Sequence, residues 1–88
     1  MKIIYAQNPN HPDIASSLNN IALVYSDKGE YDKSLKIYKQ SLDIVKKIYA
    51  HIPNHPDIAG SLNKIALVYS DKNEYEKALD FYQQSYNL

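Results

Sequence analysis

Eighty-eight residues without a cysteine make one small domain that must hold together by packing alone, with neither a disulfide nor a thiolate metal site to staple it. Ten lysines offset ten acidic residues, five and five in each half, and no arginine is present; this excludes a long-range pull toward nucleic acid or an anionic membrane. The longest unbroken apolar run, Ile21 to Tyr25, is far short of a membrane span and no signal-like segment opens the chain, so the expectation is a soluble, cytoplasmic protein.

Residues 1–7 come first in chain order. Lys2, Ile4, Tyr5 and Ala6 repeat Lys46, Ile48, Tyr49 and Ala50, so this segment is predicted to be the end of a preceding helix whose first part is absent. Ile14, Leu18, Ile21, Ala22 and Tyr25 then recur at steps of three and four, one stripe of a helix A over 11–27. Asn10 or His11 can cap it, Pro12 fits its first turn and Asp13 suits the positive end of its dipole. Gly29 can take the left-handed conformation that stops it. Helix B follows over 30–50, with Tyr31, Leu35, Tyr38, Leu42, Val45 and Ile48 or Tyr49 on one face, until Pro53 and Pro56 forbid continuation.

The plan then starts again. Residues 4–44 reappear at 48–88, displaced by 44, with 28 of 41 positions identical. The second helix A carries Ile58, Leu62, Ile65, Ala66 and Tyr69, and the second helix B carries Tyr75, Ala78, Leu79, Tyr82 and Tyr86. Asn73 stands where Gly29 stood, and asparagine also accepts a left-handed backbone. Small residues, Ala22 with Ser34 and Ser41, permit close helix approach, and the serines are expected to bond a backbone carbonyl one turn back. A repeat of this length, with two turns per unit, predicts an all-α helical-hairpin solenoid in which each unit covers its neighbour's apolar face. The units are 8–51 and 52–88, after the helix end at 1–7.

The series Leu18-x-x-Ile21-Ala22-x-x-Tyr25, Gly29-x-Tyr31 and Ser34-x-x-x-Tyr38 resembles the tetratricopeptide repeat, and Leu62-x-x-Ile65-Ala66-x-x-Tyr69 with Ala78-x-x-x-Tyr82 resembles it again. The closer likeness is to the longer repeats of the kinesin light chain type. His11-Pro12-Asp13-Ile14-Ala15 and Ser17-Leu18-Asn19-Asn20, with their counterparts at 55–59 and 61–64, carry it. The common repeat closes with a proline where this chain has Lys46, so helix B runs on and the period lengthens. HEAT and armadillo repeats share that period but not the Gly29-x-Tyr31 turn.

The resemblance implies a protein-binding scaffold. In that family the A helices line a concave groove, and side chains at the positions of Asn19, Asn20, Leu23, Asn63, Lys64 and Leu67 face a bound segment. An asparagine presents donor and acceptor together, which suits the backbone of an extended peptide. The competing reading is that the asparagines cap, bridge or face water and that the leucines are ordinary packing. Asn20 and Lys64 alone make a poor clamp for a carboxylate.

Two repeats and a stub fall short of the roughly three units such arrays usually need. The chain is therefore expected to form homo-oligomers through exposed helix faces at its ends, by stacking or by exchanging helices across the turn at 54–57. A structural array that assembles without a peptide ligand is the rival reading of its function.

No chemistry of another kind emerges. His51 and His55 have a metal-ligand spacing, but Pro53 between them breaks a shared helical face. His11 with Asp13, repeated as His55 with Asp57, fits capping better than a base and its orienter, because neither unit supplies a nucleophile. No cofactor, metal or catalytic residue is expected. Tyr25, Tyr38, Tyr69 and Tyr82 are assigned to the core and Tyr31 and Tyr75 to half-buried turns. Charged pairs such as Glu30 with Lys33 and Asp32 with Lys36 are assigned to a solvated face.

Overall fold

A computed structural model of the chain describes residues 11–88 as four helices: α1 (Pro12–Asp27), α2 (Tyr31–Ile48), α3 (Pro56–Asp71) and α4 (Tyr75–Tyr86). The expected helix end at 1–7 lies outside the described residues, as does Asn10. His11 performs the cap: its Nδ1 accepts a hydrogen bond from the Asp13 backbone N–H at 3.0 Å while its own backbone is extended. His55 does the same for α3 through the Asp57 N–H, again at 3.0 Å. Pro12 and Pro56 occupy the first turns, where no backbone donor is needed.

Each A helix ends in the same pair of hydrogen bonds. The Glu30 N–H donates to the Tyr25 carbonyl and the Gly29 N–H to the Ser26 carbonyl, both at 2.9 Å, with Gly29 at φ 80°. Glu74, Asn73, Tyr69 and Ser70 repeat this at 2.9 Å, with Asn73 at φ 67°. Helix α2 stops at Ile48, two residues before the expected end. Tyr49 leaves the helical region there, the Ile52 N–H donates to its carbonyl at 2.9 Å, and the His55 ring stacks on its ring at 3.6 Å. A turn held by that stack takes up the chain before Pro53 is reached.

Helix α1 packs on α2 and α3 on α4, forming two hairpins, and α2 packs on α3 to join them. The serines inside α2 set how closely the first hairpin closes. Ser34 and Ser41 are fully buried, and their acceptors are not one turn back as expected. Ser34 Oγ donates to the Ala22 carbonyl at 2.8 Å and Ser41 Oγ to the Ala15 carbonyl at 3.1 Å, both across the hairpin. Alanine at both acceptor positions lets a short hydroxyl reach the facing backbone, which an intrahelical bond would have left unexploited. Ser85 repeats the Ser41 bond to the Ala59 carbonyl at 3.2 Å, whereas Ala78, in place of Ser34, makes none. Ser61 does bond one turn back, to the Asp57 carbonyl.

Identical residues meet different fates. Ile65 and Val68 of α3 are 0% and 2% exposed, while Ile21 and Val24, their counterparts on α1, are 48% and 59% exposed. Leu35 of α2 is 6% exposed and Leu79 of α4 is 61% exposed. The difference is the neighbour: α2 and α3 each pack extensively on two helices, whereas among the described residues α1 and α4 each pack extensively on one. The same asymmetry corrects several assignments. Tyr38 and Tyr69 are core residues and Tyr25 is half-buried, but Tyr82 and Tyr86 are exposed on the outer side of α4. Ile21 likewise leaves the core stripe. Tyr75, expected half-buried, is exposed, and its hydroxyl donates to Asn73 Oδ1 at 2.8 Å.

Polar contacts also tie the hairpins together. Lys72, on the turn after α3, reaches Asp32 of α2 at 2.6 Å and Glu74 at 2.7 Å. Asp32 thus pairs with the next repeat and not with Lys36 on its own helix. Lys39 donates to the Tyr69 hydroxyl at 2.9 Å and lies over the Tyr69 and Phe81 rings. No helix among the described residues is long and apolar enough to cross a membrane.

Candidate functional site

The two A helices run side by side in the order α1, α3, and the last turns of α2 close the space between their N-terminal halves. The result is a cleft of about 250 Å³, lined among others by Ser16 and Asn19 of α1, Gly60 and Lys64 of α3, and Val45 and Tyr49 from the end of α2. Its lining mixes polar side chains, Asp57 and Ser61 among them, with apolar ones such as Ala15 and Ile48. That is the composition of a site that fixes a ligand's orientation with a few directed hydrogen bonds.

Asn19 is the focal side chain. It is half-buried, and its Oδ1 is buried with no hydrogen-bond partner among the described residues. An acceptor left in this state carries a desolvation cost of ~1–3 kcal/mol, and because solvent does not reach the atom, a ligand N–H meets it only if the side chain turns into the cleft. Lys64, exposed at the opposite wall, supplies the cleft's cation. Desolvation, and then the charge of Asp57 and a hydrogen bond to it, push the Tyr49 hydroxyl above its usual pKa.

Of the six residues singled out from sequence, the cleft brings together Asn19 and Lys64. Asn20, Leu23, Asn63 and Leu67 are exposed on α1 and α3 outside its lining. Leu23 stands one turn beyond Asn19 and Leu67 one turn beyond Asn63, so each pair shares a helical stripe. Val45, Tyr49 and Gly60 also line the cleft, although the sequence pointed to none of them as a contact for a bound segment. A signal for Gly60 existed, since it breaks the repeat where Ser16 stands, and a methyl group added there would meet nothing within 4 Å. Val45 and Tyr49 come from the extra turn of α2, whose direction periodicity alone does not give.

His55 Nδ1 is committed to the α3 cap and its ring to Tyr49, which accounts for this histidine without a metal. Among the described residues no group of three or more metal-ligating side chains converges.

Antiparallel helix pairs stacked in register, with capped A helices walling a cleft, define a helical-hairpin repeat protein. The sequence profile of the tetratricopeptide repeat family matches residues 4–47 and 13–88, and the chain belongs to that family. Tetratricopeptide repeats mediate protein–protein interactions and the family is non-catalytic. No curated protein matches the chain.

Proposed function

We propose that this chain is a cytoplasmic scaffold that holds an extended peptide or partner segment along its A helices, with Asn19, Asn20, Leu23, Asn63, Lys64 and Leu67 as the contacting side chains. The single observation that carries this reading is the buried, unpaired Oδ1 of Asn19 in the cleft wall. Once the Asn19 side chain turns into the cleft, a peptide backbone N–H satisfies this oxygen and the Asn19 amide N–H donates to the peptide carbonyl in return. Leu23 and Leu67, exposed one turn further along, offer apolar contacts to side chains of the bound segment. The repeats, 8–51 and 52–88 after the segment at 1–7, are of the longer kinesin light chain-like type, and the extra turn of α2 provides the floor. The cleft has one cation and no arginine, so recognition rests on backbone hydrogen bonding and depends little on salt.

The test uses a peptide selected on this chain from a random-sequence display library, titrated calorimetrically. Replacing Asn19 and Asn63 with alanine is expected to weaken binding by ~1–3 kcal/mol in total while the helical circular dichroism signal stays constant. Unchanged affinity with an intact fold would remove both asparagines from the site.

The exposed apolar residues on the outer sides of α1 and α4 support a second reading, self-association of the chain as a structural array.

A further inference from the structure

The chain already contains one interface between consecutive repeats. Leu35, Tyr38 and Leu42 on the outer side of α2 are buried in one cluster with Ile65 and Val68 of α3. The Lys72–Asp32 pair and the Lys39–Tyr69 hydrogen bond fasten its edges. Each half of this interface occurs a second time, uncovered, with Gln83 in place of Lys39 and Tyr86 in place of Leu42. The α2 half recurs on α4 as Leu79, Tyr82 and Tyr86, all exposed, and the α3 half recurs on α1 as Ile21 and Val24, also exposed.

We infer that α4 of one copy packs on α1 of a second copy in the register of α2 on α3, a head-to-tail contact that reproduces the internal interface. This inference rests on the self-association reading and specifies its geometry. Apolar matching alone would not choose a register, but the charges do. Glu76 is the counterpart of Asp32 and is exposed without an ion pair among the described residues, and Lys28 is the counterpart of Lys72. Lys28 already reaches Glu30 at 3.1 Å, as Lys72 reaches Glu74. Lys72 holds a second carboxylate beside the first, and an ammonium with three donors has the capacity to do so. Head-to-tail docking therefore places Glu76 of one copy on Lys28 of the next.

A symmetric contact of α1 with α1, or of α4 with α4, has no counterpart inside the chain. The head-to-tail contact joins different surfaces, so it leaves one free flank at each end and continues into longer assemblies unless the rotation closes a ring.

The experiment is sedimentation velocity over a wide range of concentration, on wild type and on two variants. Val24→Glu blocks the α1 flank and Leu79→Glu the α4 flank, and both positions are exposed in the single chain, so the fold is spared; circular dichroism checks this. Wild type is expected to grow in mass with concentration. Each variant alone is expected to stay monomeric, and an equimolar mixture is expected to form a dimer and nothing larger, through the α4 flank of the Val24→Glu copy and the α1 flank of the Leu79→Glu copy. Adding Lys28→Glu to the receiving copy should weaken this dimer by about threefold to tenfold, and Glu76→Lys on the donating copy should restore it.

Dimerisation of either variant by itself overturns the head-to-tail geometry while leaving self-association standing. A mixture that remains monomeric, or a dimer indifferent to both charge reversals, overturns the proposed register. Wild type that is monomeric throughout overturns the inference and the reading beneath it together. The groove variants lie off both flanks and report on peptide binding separately.

Discussion

Gly29 and Asn73 solve one conformational problem with two residue types. Both sit at positive φ between an A helix and a B helix, where a Cβ crowds the backbone but an asparagine side chain compensates by bonding locally. Asn73 does so by accepting from the Tyr75 hydroxyl. Nothing lies within 4 Å of a methyl group placed on Gly29, so the effect of a substitution there is backbone strain and not a clash. Gly29→Ala should therefore destabilise the chain by about 1 kcal/mol, and Gly29→Asn by clearly less, read as urea midpoints with unchanged slopes. Equal losses for the two variants would mean that the left-handed turn is not what glycine provides there. The buried serines act at the same scale, because a hydroxyl that bonds the facing helix fixes the separation of the pair more tightly than an alanine contact does.

At the scale of helices, environment outweighs residue type. Ile21 and Ile65 occupy the same place in the same eleven-residue context, from Asp57 or Asp13 to Leu67 or Leu23, apart from the changes at Ser16 and Asn20. One lies against α2 and the other on an uncovered flank. Ile65→Ala should cost ~2–5 kcal/mol of stability, the usual range for emptying a closed core site. Ile21→Ala should change it by less than about 0.5 kcal/mol at concentrations where the chain is monomeric. Chemical denaturation of the two variants side by side measures both, and losses of similar size would show that the two flanks are not in different surroundings. The α2 and α3 pair is accordingly the centre of the molecule, and α1 and α4 are its more weakly held edges.

Across the whole molecule, charge links the repeats without adding net charge. Hydrogen bonds from Lys72 and then from Lys77 hold the Glu74 carboxyl below its ordinary value of 4.5, and Asp32 and then Glu74 hold the Lys72 ammonium above its ordinary value. A carboxyl with a lowered folded-state pKa contributes stability that is complete above 4.5 and is lost as pH falls through the lowered value. Wild type should exceed Glu74→Gln in urea midpoint at neutral pH, and the two should converge as the pH drops well below 4.5. On the alkaline side the Lys72 contribution persists past its ordinary value of 10.5 and fades only beyond it. Because these groups meet solvent, added salt should narrow the acid-side difference as well. A gap between the variants that ignores both pH and salt would assign Glu74 a packing role instead.

Most of what depends on a few consecutive residues was legible in the chain itself, though not the turn at Tyr49 that ends α2 at Ile48. The four helices, the histidine caps, the left-handed turns at Gly29 and Asn73 and the repeat that makes a solenoid all follow from local backbone preferences and from the period of the apolar positions. Asn19 and Lys64 were singled out differently, through the resemblance to the tetratricopeptide repeat, in which those positions of the A helices face the groove. Tertiary structure alone decided that Ile65 is buried and Ile21 is not, that Ser34 and Ser41 bond across the hairpin, that Asp32 reaches Lys72, and that Val45, Tyr49 and Gly60 complete the cleft. Periodicity tells a side chain which face of its own helix it occupies; what stands opposite that face depends on how whole helices are laid against one another.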